Sequence, residues 1–148
     1  MKIIVSACLL GEPCRYDGKS KPCQAVLGLQ KNCELIPVCP EVMGGLPTPR
    51  PASEIQSDGS VLNCEGKDVT EEYRRGAETV LQIARQNGCG IAILKEKSPA
   101  CGKGRVYDGN FTGTLTDGNG VCAELLTKNG ILVFGEHETE GEALQRLL

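Results

Sequence analysis

The sequence predicts an α/β protein, a three-layer α/β/α sandwich built on a mostly parallel, Rossmann-like sheet with small hairpins added outside it. Three observations carry that expectation. Four short apolar runs, IIVS at 3–6, LIPV at 35–38, IAILK at 91–95 and ILVF at 131–134, lack the in-out alternation of a half-solvated sheet and read as strands covered on both faces. Helical patterns fall between them, the order that right-handed crossovers require. Asp-Gly and Glu-Gly pairs in RYDGK at 15–19, VYDGN at 106–110 and VLNCEGKDV at 61–69 mark tight turns and predict the hairpins.

Taken in order, the first run leads to a short helix starting near Pro22, a residue suited to the first helical position, and passing through Ala25, Val26 and Leu29 to about Asn32. The clearest helix is DVTEEYRRGAETVLQIARQNG at 68–88. Asp68 is its expected N-cap, Tyr73, Ala77, Val80 and Ala84 form one apolar stripe, and Gly88 is the stop. A third helix covers Val121 to Lys128 and ends at Asn129-Gly130. The chain closes with TEGEALQRLL, where Thr139 and Glu142 have the spacing of a capping box. At 148 residues, with no low-complexity linker, one domain spanning 1–148 is expected.

Composition narrows the function. Aromatic residues make up 3% of the chain, with no Trp, so extended base stacking is unavailable. A net charge of -3 argues against a broad basic surface for nucleic acid. MKIIVSA at 1–7 is too short for a signal h-region, and no segment approaches the ~20 apolar residues of a membrane helix, so the expected location is cytoplasmic. The expected partner is a small molecule, with no membrane and no extended nucleic acid, and the expected assembly is a monomer or homodimer.

Nine cysteines are many for a chain in a reducing compartment, where structural disulfides are rare. Three of them share a position. Cys8 follows the first strand in SACLLG, Cys39 closes the second in VCPE, and Cys101 lies just past the third in KSPACG. In open α/β sheets, ligands bind beyond the carboxyl ends of the strands, so three consecutive strands each bring a cysteine to the binding edge. Cys64, Cys89, Cys122, Cys23 and Cys33 read as packing residues, in keeping with the buried habit of free cysteine. Cys14, in GEPCRYDG, is a fourth ligand, a reactive thiol or a bystander. Zinc has little support, because the chain has no C-x-x-C pair and a single histidine, His137. An iron-sulfur cluster normally takes four thiolates; with three, one iron is left open as a Lewis acid for a soft sulfur atom.

SACLLGEPCRYDG at 6–18, CPEVMGGLPTPR at 39–50 and KSPACGKG at 97–104 together resemble the bacterial family that includes the thiouracil desulfurases. The resemblance spans essentially the whole chain. It implies a 4Fe-4S cluster bound through Cys8, Cys39 and Cys101 and a non-redox removal of sulfur from a thiolated pyrimidine, giving uracil and sulfide. Such chemistry needs a group to deprotonate water and another to hold the ring or relay protons. Glu41, two residues past Cys39, is the expected general base, and Ser98, three before Cys101, the expected substrate-orienting or proton-relay group; the resemblance points to the same positions. Arg50, in the GGLPTPR loop, and Lys103 are expected to bind a substrate carbonyl or phosphate. The competing reading is a sulfide or electron carrier, or a metal-binding module, without turnover.

Overall fold

The computed structural model describes all 148 residues. Its centre is a four-stranded parallel sheet, in the spatial order β2 (Glu34–Val38), β1 (Lys2–Ser6), β5 (Ile91–Leu94), β8 (Leu132–Gly135). The register sets Ile4 of β1 between Ile36 of β2 and Ala92 of β5. Because side chains alternate along a strand, Ile4, Ala92, Leu94 and Val133 face one layer and Ile3, Val5, Ile91, Ile93 and Phe134 face the other. β2 is an edge strand, which is why it tolerates Pro37, a residue without an amide proton for a ladder.

One layer holds α2 (Pro40–Met43), α3 (Thr70–Gln86) and α4 (Val121–Lys128). The other holds α1 (Gln24–Gly28) and α5 (Glu142–Gln145). The expected stripe on α3 is buried, including Tyr73, Ala77, Val80 and Ala84. Full burial of a side chain such as Val80 is worth roughly 1.5–3 kcal/mol. Two antiparallel hairpins, β3 (Ser53–Ile55) with β4 (Val61–Asn63) and β6 (Arg105–Tyr107) with β7 (Leu115–Asp117), lie outside the sheet. No helix is long and apolar enough to cross a membrane.

Several local expectations are corrected. The first hairpin turns at Asp58-Gly59, where Gln56 N donates to Ser60 O at 2.7 Å. Glu65-Gly66 makes a second, tighter turn that Asn63 closes by accepting from the amides of Glu65 and Lys67. Asp17-Gly18 forms a closed loop, Arg15 N donating to Lys19 O, but no strands flank it. Thr139 caps no helix: its hydroxyl donates backward to Glu136 O at 2.7 Å, and α5 starts from Gly141. Asp68 accepts from the amide of Thr70, so the cap stands one residue ahead of Val69, the N-cap position of α3. The helical turn of α2 lies where no apolar period was legible.

That turn is held by two glycines. A Cβ on Gly76 of α3 would stand 1.8 Å from Pro40 O, and one on Gly44 would stand 1.9 Å from Glu72 O. The backbones of α2 and α3 therefore touch, and neither position has room for a methyl group. Gly76→Ala is expected to cost about 1–3 kcal/mol through overpacking and to lower the melting temperature by roughly 3–10 °C. A melting temperature equal to wild type would show that the two helices separate freely.

Candidate metal centre and catalytic cleft

The carboxyl ends of β1, β2 and β5 open onto a cleft of about 550 Å³. Cys8 enters it from a 3-10 turn (Ala7–Leu10) that begins directly after β1, Cys39 from the residue between β2 and α2, and Cys101 from the loop after β5. Glu41, Arg50, Ser98 and Cys14 line the same space. The strand order explains the convergence: β2, β1 and β5 are neighbours, so their first residues past the sheet are neighbours too.

Each loop is fixed by backbone groups that would otherwise be orphaned. Helix α4 has no side-chain cap. Its first amides donate instead to the Cys101 loop: Val121 N to Pro99 O and Cys122 N to Ala100 O, both at 2.8 Å. Within that loop the Ser98 hydroxyl accepts from the amides of Ala100 and Cys101, each at 3.1 Å. With both lone pairs engaged, its proton is left to be donated. The Ser6 hydroxyl accepts from Lys95 N at 2.8 Å, and Lys95 Nζ lies 3.1 Å from Glu136 Oε2, tying the start of the loop to the end of β8.

Glu41 is the best-anchored carboxylate of the cleft. Its Oε2 accepts from the Tyr73 hydroxyl at 2.6 Å and from Arg50 Nε at 3.3 Å, while Oε1 lies 3.3 Å from Arg50 Nη2. The Arg50 side chain is only 3% exposed. It also donates to Pro47 O, to Thr48 Oγ1 and to Cys14 O, so every nitrogen of its guanidinium has an acceptor within the protein. Arg50 therefore lines the cleft as the holder of Glu41, and the expectation that it grips substrate is not matched by a free donor. Burial, reinforced by Glu41, pushes the Tyr73 hydroxyl far above its ordinary value, so it stays protonated and donates.

Burial and neighbouring thiols keep Cys39, Cys14 and Cys101 protonated until something displaces their protons. The Cys39 thiol is pushed well above the usual range, first by its hydrogen bond with Cys14 and then by burial. For Cys14 the hydrogen bond with Cys39 acts downward, but the one with Cys8, together with burial, leaves it raised to about 11. Cys101 is raised by burial above all, then by neighbouring Cys122. Metal binding to such thiols releases protons. No three His, Cys, Asp or Glu side chains stand close enough to hold a single metal ion. Three convergent thiols are donors of the kind that iron-sulfur clusters take.

Two expectations are corrected here. Lys103 does not line the cleft; its ammonium pairs with Glu138 at 3.1 Å and lies over the Phe134 ring. Cys64 is not packed in the core but is exposed at the cleft, on the turn after β4. Cys89 and Cys122 are buried in the core as expected, and Cys23 and Cys33 pack at its margin. Tyr73 is the functional neighbour that sequence reasoning missed, because it sits on the apolar stripe of α3 and reads there as core.

The 2-thiouracil desulfurase family model matches residues 3–138. The uncharacterized protein YbbK of Bacillus subtilis (strain 168) is 37% identical over 145 residues, covering 92% of this chain and 96% of that protein. A solved structure, the 4Fe-4S-dependent thiouracil desulfidase TudS, is 47% identical with a TM-score of 0.88, covering 99% of both chains. The fold, the shared length and the family match agree: this chain belongs to the 2-thiouracil desulfurase family.

Proposed function

We propose that the protein is an iron-sulfur-dependent thiouracil desulfurase that hydrolyses the carbon-sulfur bond of 2-thiouracil or a related thiolated pyrimidine, with water supplying the oxygen of uracil and the sulfur leaving as hydrogen sulfide. Cys8, Cys39 and Cys101 would hold a 4Fe-4S cluster. The observation that carries this reading is the convergence of three thiols from three adjacent strand ends on one cleft that also contains an anchored carboxylate. When bound through three thiolates, such a cluster would supply a Lewis-acidic iron suited to soft sulfur.

The rest of the chemistry belongs to the chain. Glu41 takes the proton of the attacking water. Its Oε2 accepts from both Tyr73 and Arg50, which leaves Oε1, with a single close donor, as the oxygen that receives it. Ser98, whose hydroxyl proton is uncommitted, donates to the pyrimidine or to the departing sulfur. Arg50 keeps the carboxylate oriented, so the base need not search rotamers at the moment of reaction.

Anaerobic reconstitution with iron and sulfide is expected to give a brown protein that converts 2-thiouracil to uracil and sulfide in equal amounts. Cys8→Ala is expected to lose both colour and turnover. A colourless anaerobic preparation carrying one zinc per chain would falsify the cluster assignment, and an intact cluster with no turnover on any thiolated pyrimidine would leave the carrier reading in its place.

Glu41→Gln preserves the shape of the side chain and removes its basicity. The cluster absorbance should be unchanged while kcat falls by roughly 10²–10⁴-fold, the usual contribution of a general base. If kcat stays within a few-fold of wild type, the base is another group.

A further inference from the structure

Only two residues other than glycine have positive φ, Lys97 at +68° and Phe111 at +56°, and both line the catalytic cleft. A left-handed backbone is costly for a bulky side chain and persists only where its surroundings impose it. At Lys97 the local turn accounts for it: the chain reverses there so that the Ser98 hydroxyl meets the two loop amides. At Phe111 the conformation brings the backbone amide to Glu54 but leaves the side chain outside the core. The residue is 38% exposed and belongs to neither core cluster.

The device that imposes it is specific. Glu54 of β3 is a buried carboxylate whose Oε1 accepts from Gly109 N at 3.0 Å and from Phe111 N at 3.2 Å. Gln56 Nε2 donates to Gly109 O at 3.2 Å. Gly109 sits so close to β3 that a Cβ would stand 2.8 Å from Ile55 O. One hairpin thus clamps the turn of the other, and the product of the clamp is an aromatic ring held at the cleft.

The chain has five aromatic residues. Three of them, Tyr16, Tyr107 and Phe111, line this cleft. Tyr16 carries the guanidinium of Arg15 over its ring, and Tyr107 is tied into β6 opposite Leu115. Phe111 is the ring with no such partner. A planar heterocycle presents a π-face of the same size, and stacking on one aromatic side chain is a strong, shape-selective contact for a base.

We propose that Phe111 is the stacking platform of the cleft, binding the flat face of the pyrimidine and selecting aromatic over saturated rings. This rests on the desulfurase reading only for the identity of the heterocycle. The test uses the anaerobically reconstituted protein and two non-reacting probes: uracil, and 5,6-dihydrouracil, which keeps the same carbonyl and N–H groups but is puckered and not aromatic.

Wild type is expected to bind uracil at least about 5-fold more tightly than dihydrouracil. Phe111→Gly should weaken uracil binding by roughly 5–100-fold, bring the ratio of the two probes close to one, and raise KM for 2-thiouracil with little change in kcat. Its melting temperature should hold or rise by a few degrees, since glycine relieves the left-handed strain. Phe111→Tyr should retain the preference. Equal affinity of the glycine variant and wild type for uracil, an unchanged probe ratio, or no binding of uracil by wild type would each overturn the proposal. Phe111-dependent uracil binding without desulfuration would sink the proposed activity and leave the platform standing; turnover with a KM indifferent to Phe111 would do the reverse.

Discussion

A guanidinium taken out of water must find acceptors for its fork of donors, and the way Arg50 finds them organises the cleft. Its partners come from three separate places: the Glu41 carboxylate on α2, the carbonyl of Cys14 in the loop after β1, and the Pro47 and Thr48 groups of its own loop. Arg50 N also donates to Tyr16 O at 2.8 Å, a further tie to the Cys14 loop. Leaving a buried charge unpaired costs several kcal/mol. The three segments are therefore not independent, and moving any of them strands part of the charge. Glu41, the Cys14 loop and the backbone of Tyr16 are held in place by that single requirement.

Rigidity is distributed unevenly around the cleft. The side that carries Cys39 and Glu41 is braced by backbone-to-backbone contact between α2 and α3, by the Tyr73 hydroxyl and by Arg50. The Cys101 loop is braced by the first amides of α4. The opposite rim is built from the two small hairpins, each strand three residues long, which are joined to one another mainly by Glu54 and Gln56. A two-stranded ribbon has little stability of its own. Glu41 and the Cys39 and Cys101 loops thus stand on the side braced by helices, and the hairpin side depends on the clamp that Glu54 and Gln56 make.

The sheet and the three thiols were legible because they depend on short-range regularities: unbroken apolar runs for buried parallel strands, and a cysteine placed just beyond each of three of them. The same logic sorted Cys89 and Cys122 into the core. What escaped was set by tertiary neighbours. Tyr73 has the spacing of a core residue and is one; only the packing of α2 over α3 brings Glu41 within reach of its hydroxyl. Arg50 and Lys103 looked alike as cations near glycine-rich loops. One turns inward because Glu41 and three carbonyl or hydroxyl oxygens surround it, and the other turns outward because Glu138 lies beside it. Cys64 was misjudged because a hairpin position says nothing about which face of the molecule the hairpin covers. Thr139 had the spacing of a capping box, but Glu136 O offered its hydroxyl a nearer acceptor.

The scarcity of aromatic residues takes on a different meaning once their positions are known. Few rings rule out a long stacking surface, and so an extended strand of nucleic acid, yet they do not rule out one base. Here the core is filled by aliphatic side chains, with Phe134 and Tyr73 as its only aromatic members, and the remaining rings gather at one cleft. Phe111 and the thiols of Cys8, Cys39 and Cys101 line one cleft, so a flat ligand there would meet an aromatic ring and sulfur ligands in the same space. Binding selectivity and sulfur chemistry would then act on different features of the same molecule: the clamped hairpin turn would meet the π-face, and the anchored Glu41 carboxylate would face the reacting carbon.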